Sequence, residues 1–254
     1  MNPRPYILAE TNWQAVKDTA FEVVVLPWGA TEAHNYHLPY GTDNYQCDYV
    51  AAEAARLAWD QGAKVVVLPT IPFGVNTGQL DITLDMNLNP STQLAILRDV
   101  VQVLARQGIP KLLVLNGHGG NDFRQILREL QAEFPTVFLC TATLFRVVDR
   151  QQFFSAPGDH ADELETSAML HIAPHLVRPL EEAGSGFGKP FRIKALREWA
   201  WAQREWSKVT ADTGIGNPIA ATTEKGQAFL QALTAELGQF LVDLAAADPQ
   251  DMYE

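Results

Sequence analysis

The run Lys111-Leu112-Leu113-Val114-Leu115-Asn116-Gly117-His118-Gly119-Gly120-Asn121 decides the architecture. Its first half is a short apolar stretch with no polar alternation, the signature of a strand covered on both faces of a sheet. Its second half places three glycines around one histidine, a composition suited to a tight loop that presents a single imidazole. The loop lacks the Lys-Ser/Thr of a P-loop and the G-x-G-x-x-G spacing, which argues against a phosphate cradle. A tight turn whose histidine caps the next helix is the plainer alternative.

Outward from this run the same grammar repeats. Val23-Val24-Val25-Leu26, closed by Pro27, reads as one strand, Lys64–Leu68 as a second, and Thr136-Val137-Phe138-Leu139 as the start of another. Between them lie helical stretches: residues 43–60, rich in alanine; 91–107, with Leu94, Leu97, Val101 and Leu104 at spacings of three and four and Ser91 as N-cap; and about 122–133. A long alanine-rich helix covers about 224–246, whereas 180–215 is irregular and contains Trp199, Trp201 and Trp206, which fit a pocket wall or a packing surface. Strands alternating with helices predict an α/β fold with a mostly parallel sheet and helices on both faces, in a single domain over 1–254.

Composition narrows the function classes. With 254 residues, 47% hydrophobic and 19% charged, the chain has the balance of a globular protein with a sizeable core. No apolar run reaches the roughly 18–20 residues that span a bilayer. A formal charge of −11 argues against nucleic acid and anionic membrane as partners. The start Met1-Asn2-Pro3-Arg4-Pro5 has no apolar signal core, and the two cysteines, Cys47 and Cys140, make no disulfide framework and read as buried apolar residues. Both features lead to the expectation of a cytoplasmic protein.

In a parallel sheet, ligands gather beyond the carboxyl ends of the strands. The loop after the first strand carries Glu32, His34, His37 and Asp43, and the loop after the third carries His118. A further cluster, His160-Ala161-Asp162-Glu163-Leu164-Glu165, lies downstream. Each has a plain reading: polar surface loops, and an acidic first helical turn favoured by the helix dipole. A helix running through from 160 would put His160 and Glu163 on one face and turn Glu165 away, whereas a start near Asp162 frees His160. Taken together, these imidazoles and carboxylates suit one or two Zn²⁺, Mn²⁺ or Fe²⁺ ions. Such ions acidify water and polarise a carbonyl. His171 and His175 sit where Pro174 ends a helix.

At family level the chain resembles the creatininase (creatinine amidohydrolase) family. The resemblance rests on Gly29–His34 through His37–Asp43, on Asn116–Asn121, on His160–Ser167, and on Ile215-Gly216-Asn217-Pro218 with Ala221-Thr222 through Lys225-Gly226. It implies a three-layer α/β/α amidohydrolase that assembles as a homohexamer and acts on a small-molecule amide. It also implies metal ligation by Glu32, His34, Asp43 and His118, with Asp43 bridging, Glu165 as a further ligand, and His160 as the catalytic histidine. His37, Asn116, Gly119, Gly120 and Glu163 are expected to support the ligands or contact substrate. The family loop usually reads Glu-Gln-His-Gly-Pro-His where this chain has Glu32-Ala33-His34-Asn35-Tyr36-His37, and His-Ala-Gly where it has His160-Ala161-Asp162. Creatininase itself has a metal-binding glutamate where this chain has Gly120. The Gly-Gly form is more similar to members acting on formamides or modified peptides. A fold that keeps metal without catalysis, and a phosphoester hydrolase, are the competing readings.

Overall fold

The computed structural model describes residues 3–254. Four strands, β1 (Val23–Trp28), β2 (Val65–Val67), β3 (Lys111–Asn116) and β4 (Phe138–Thr143), form one sheet in the order β2-β1-β3-β4. Every pairing is parallel, with Val24 opposite both Val66 and Leu112, and Lys111 opposite Phe138. Side chains alternate between faces. Val23, Val25, Leu113 and Leu115 therefore join one apolar core, and Val24, Leu26, Trp28, Leu112 and Val114 the other.

The first core is closed by α2 (Thr42–Asp60), α5 (Glu163–Ile172) and α8 (Thr223–Ala246), through Val50, Ala54, Leu164, Ala168, Leu230 and Leu237. The second is closed by α3 (Pro90–Gln107) and α4 (Arg124–Glu133), through Leu97, Val101, Leu104, Ile126 and Leu130. The result is the expected three-layer α/β/α arrangement. Three short helices complete the set: α1 (Trp13–Lys17), α6 (Ala195–Glu198) and α7 (Trp206–Val209). Among the described residues, no helix is long and apolar enough to cross a membrane.

Some boundaries differ from expectation. Pro27 does not close β1; the strand continues to Trp28. The Pro27 carbonyl accepts a hydrogen bond from Ile71 on the side where β2 has already ended, so no ladder bond needs the missing N–H. Ser91 is not an N-cap: α3 begins one residue earlier at Pro90, whose fixed φ suits the first helical position. The helix expected from Asp122 starts at Arg124, and β4 runs on to Thr143. A second, antiparallel pair, β5 (Gly158–His160) with β6 (Ile215–Gly216), was not legible as strands in the sequence. Cys47 is buried as expected, whereas Cys140 is only half-buried.

The strand order places the site. The chain leaves β1 towards β2 on one side and returns to β3 on the other, so the sheet changes winding direction between β1 and β3. Loops diverge there and leave a crevice at the carboxyl ends. The loops following β1 and β3 are those that carry Glu32, His34 and His118.

Candidate functional site

Asp43 stands at the centre of the site. It lies in the first turn of α2, where the helix dipole favours a carboxylate, and it is buried. Its Oδ1 is 3.2 Å from His34 Nε2, and its Oδ2 is 3.1 Å from His118 Nδ1. Glu32 Oε1 is 2.9 Å from the same His118 Nδ1. Glu165 Oε1 is 3.9 Å from His34 Nε2. Asp43 thus joins two groups, Glu32–Asp43–His118 and His34–Asp43–Glu165, each with ligand atoms close enough to share one ion. A third such group, Glu32–His34–His160, overlaps them.

Three histidines are oriented by backbone carbonyls. His34 Nδ1 pairs with Glu32 O at 3.0 Å, His118 Nε2 with Val75 O at 3.1 Å, and His160 Nε2 with Ala33 O at 2.8 Å. A carbonyl only accepts, so each of these nitrogens carries the proton. The other nitrogen, facing the carboxylates, is left as a potential ligand or base. The loop after β1 makes this possible by reversing at Asn35, whose φ of 56° is in the left-handed region that asparagine tolerates. Asn35 Oδ1 accepts the N–H groups of Tyr36 and Gly184, which pins the turn.

The charges in the cluster call for a cation. Burial opposes ionisation of His34, but Asp43, then Glu165 and Glu32, outweigh it and raise its pKa to about 10. Burial likewise opposes charge on His118, and Glu32 and Asp43 hold it well above the ordinary range. Burial, aided by Asp43 and Asp162, pushes the Glu165 carboxyl up to about 8. His160 behaves differently: burial, then the neighbouring His34, lowers its pKa. Asp43 Oδ2 is buried and accepts no hydrogen bond. An orphaned carboxylate oxygen aimed between a carboxylate and an imidazole fits a divalent ion, and the mixed nitrogen and oxygen donors suit Zn²⁺ or Mn²⁺.

These side chains open into a cavity of about 350 Å³ lined by Glu32, Asp43, His118, His160 and Glu165, with Gln79 and Trp206 alongside. Trp206 stands edge-on to His160, with ring centroids 5.5 Å apart. It is buried, whereas Trp199 and Trp201 are exposed.

The remaining candidates fall on either side of the site boundary. Asn116 clamps the loop after β3: its Oδ1 accepts His118 N and Asn121 Nδ2, and its Nδ2 donates to His118 O. Gly119 and Gly120 line the cavity. A Cβ at Gly120 would lie 2.3 Å from Val75 O and 2.5 Å from His118 Nε2. This loop therefore packs with no room for the glutamate that creatininase has there. Gly120→Ala is expected to push Val75 off His118 and to weaken Zn²⁺ affinity about 10–100-fold by calorimetry. Unchanged affinity would refute this account of the loop.

His37 is fully buried, and its Nε2 pairs with Thr166 Oγ1 at 2.8 Å. Burial lowers its pKa to about 4, and it supports the helix that carries Glu165. Glu163 lies outside the cluster, contrary to expectation. Asp162 caps α5, so the helix starts late, and two residues of helical rotation separate Glu163 from Glu165. Glu163 instead pairs with Lys225 Nζ at 2.5 Å and accepts the N–H groups of Ser155 and Ala156. Burial disfavours its charge, but Lys225 and these donors win and hold its pKa below the ordinary value. That depression stabilises the fold above the unfolded-state pKa and is lost as pH falls through the folded one. Glu163→Gln is expected to cost about 2 kcal/mol at pH 7, with the gap in melting temperature from wild type closing as pH falls through the depressed pKa of Glu163. A pH-independent gap would contradict the ion pair's role.

Several supporting residues gave no signal in the sequence. Gln79 Nε2 donates to Glu32 Oε2 at 2.5 Å, and Asp85 Oδ1 accepts Ala33 N at 2.6 Å. Asn121 Oδ1 accepts Val75 N and Gln93 Nε2, which fixes the carbonyl that orients His118. These residues come from the 74–93 segment and from the end of the His118 loop, and amides there have no distinctive spacing.

Comparison with known proteins bears directly on this geometry. Residues 9–241 match a family model described as creatinine amidohydrolase. A mycofactocin precursor peptide peptidase of Mycobacterium tuberculosis is 26% identical over 224 residues, 83% of this chain and 80% of that one. A creatinine amidohydrolase of Pseudomonas putida is 27% identical over 176 residues, 61% of this chain and 66% of that one. A crystal structure from Bacteroides fragilis, provisionally described as a creatinine amidohydrolase, is 42% identical over 100% of both chains, with a TM-score of 0.92. A creatininase crystal structure shares the fold at a TM-score of 0.78 and 22% identity, over 96% of this chain and 99% of that one.

Proposed function

The chain belongs to the creatininase family, and from that premise we propose that it is a divalent-metal amidohydrolase in which Asp43 would be a ligand shared by two ions. The observation that carries this reading is the pair of oxygens of Asp43, one facing His34 and the other, without a hydrogen bond, facing His118. Glu32 and His118 complete one ion's set, and His34 and Glu165 the other's. A related creatininase structure is of a Zn-Zn type and another is described with Mn, which accords with these donors. When bound, such ions polarise an amide carbonyl and make a water more acidic.

The chain's own residues supply the rest. His160 is neutral near pH 7 because burial, then His34, disfavours its charge. Its Nε2 proton is committed to Ala33 O, so Nδ1 holds the lone pair, 3.8 Å from Glu32 Oε1. In this reading Nδ1 takes a proton from the attacking water and passes it to the departing amide nitrogen. Trp206 packs perpendicular to the imidazole and holds its orientation. Gln79 holds Glu32 Oε2, which leaves Oε1 directed at His118.

The whole chain acts as one domain in this reading, since Tyr6 and Leu244 share one core. A cytoplasmic location rests on the two free cysteines, and a homohexamer on the family resemblance alone. The test is a panel of creatinine, formamides, lactams and short peptides, assayed with Mn²⁺, Zn²⁺ and Fe²⁺ after chelation. At least one amide is expected to turn over, with activity lost on chelation and restored by metal. Turnover of phosphoesters alone, or of amides by metal-free protein, overturns the proposal.

A further inference from the structure

A second cavity, of about 910 Å³, adjoins the first and shares with it Asp159 and the strip Trp201–Arg204. Its walls oppose the character of the chain. The protein has a formal charge of −11, yet this cavity is lined by Lys189, Arg192, Arg197, Arg204 and Lys208 against only Asp159 and Glu205. Both carboxylates are already used: Asp159 pairs with Arg204 at 2.6 Å, and Glu205 with Lys208. Among the described residues, Lys189, Arg192 and Arg197 have no ion-pair partner and are exposed. Three unpaired cations around one concavity, in an acidic protein, form a local positive field that attracts anions.

The two cavities are joined by packed chain. A Cβ at Gly78 would lie 2.1 Å from the Arg204 carbonyl, so the strip crosses Gly78 at the closest approach a backbone allows. Trp206 N donates to Gly78 O at 2.8 Å. The Arg204 guanidinium stacks 4.5 Å above Trp206, and Trp206 stands against His160. The two cavities meet along Asp159 and the strip Trp201–Arg204, which lines both. Together the cavities exceed what a small cyclic amide needs, since pockets of roughly 300–1,000 Å³ suffice for whole drug-sized ligands.

We propose that this basic cavity is a subsite for the carboxylate-bearing flank of a peptide whose scissile amide lies beside His160. The proposal rests on the amidohydrolase reading and extends it to the substrate class: an acidic, peptide-like chain held by Lys189, Arg192 and Arg197. Guanidinium groups suit this task because their fixed forks donate two parallel hydrogen bonds to a carboxylate. The exposed Trp201 at the shared rim offers an apolar face to the peptide backbone.

The test is direct binding, read separately from turnover. Fluorescein-labelled tetraglutamate, with either a free or an amidated C-terminus, is titrated by anisotropy into the metal-loaded and the chelated full-length protein. Tetraglutamine is the neutral control. Tetraglutamate is expected to bind at least ten times more tightly than tetraglutamine. Arg192→Glu with Arg197→Glu is expected to abolish that preference, and Arg197→Ala alone to reduce it severalfold. Weaker binding of the amidated than of the free tetraglutamate, with the preference over tetraglutamine retained, would add the terminal carboxylate to the side chains as a determinant. Tight binding of the amidated tetraglutamate would assign it to side chains; either result supports the proposal. Equal affinity for tetraglutamate and tetraglutamine, an unchanged affinity in the charge-reversed variant, or displacement by equimolar inorganic phosphate overturns it. Specific binding without hydrolysis of any amide would leave the subsite standing while the amidohydrolase reading fails, so the two failures are distinguishable.

Discussion

Asp43→Asn is expected to strip bound divalent metal from the protein with little change in its fold. The substitution keeps the shape of the side chain but replaces one oxygen with an amide NH₂, which donates and cannot ligate. Oδ1 and Oδ2 face different histidines at 3.2 and 3.1 Å, so whichever way the amide turns, one group loses its shared ligand and the other its charge. Metal content measured by atomic emission should fall well below that of wild type. The kcat/KM for any amide substrate should fall by at least about 10³-fold, about 4 kcal/mol of transition-state stabilisation. The metal-free variant should melt within a few degrees of metal-free wild type, while added Zn²⁺ raises the melting temperature of wild type only. His34 provides an independent readout. Its pKa of about 10 is raised chiefly by Asp43, so in the metal-free variant it should drop towards the ordinary histidine value. A variant with normal metal content and activity would remove Asp43 from the centre of the site.

Much of this arrangement was legible in the sequence, for identifiable physical reasons. The β3 run is apolar on both faces because helices cover both sides, and such a strand shows itself as an unbroken hydrophobic stretch. The cluster of Glu32, His34, Asp43 and His118 was visible because imidazoles and carboxylates in loops at the ends of strands are the residue types a metal site would need. Less legible was anything set by rotation or by contact at long range. Glu163 and Glu165 differ by two positions on a helix, and only the cap at Asp162 fixes which of them reaches His34. Strands as short as Gly158–His160 and Ile215–Gly216 have no periodicity to detect, because their pairing is a tertiary event. Gln79 and Asp85 contact the Glu32–His34 segment across more than 40 residues through single hydrogen bonds, and neither residue type announces such a role. The basic cavity was hidden for a related reason. Net charge averages it away, and Lys189, Arg192 and Arg197 become a site only once the irregular 180–215 segment folds beside the acidic one.

In the proposed mechanism His160→Ala separates the proton carrier from the metal ligands, and the expected result differs in kind from that of Asp43→Asn. His160 lies near Glu32 and His34, and a metal could recruit it as a third ligand of that group. The hydrogen bonds favour a different role. Its Nδ1 is 3.8 Å from the nearest carboxylate oxygen, whereas His118 approaches Glu32 within 2.9 Å. Its pKa is lowered, which suits a neutral base, whereas the neighbouring carboxylates raise those of His34 and His118. The alanine variant should therefore keep its metal and lose about 10²–10⁴-fold in kcat, the usual contribution of a positioned acid–base group. The pH profile gives the sharper criterion. In wild type, activity should fall as pH drops through the His160 pKa, because protonated Nδ1 no longer accepts a proton from water. The variant should lack that acidic limb, and His160→Gln, which preserves more of the packing against Trp206, should lack it too. Loss of metal in step with loss of activity would make His160 a ligand, and a retained acidic limb would assign the proton transfer to another residue.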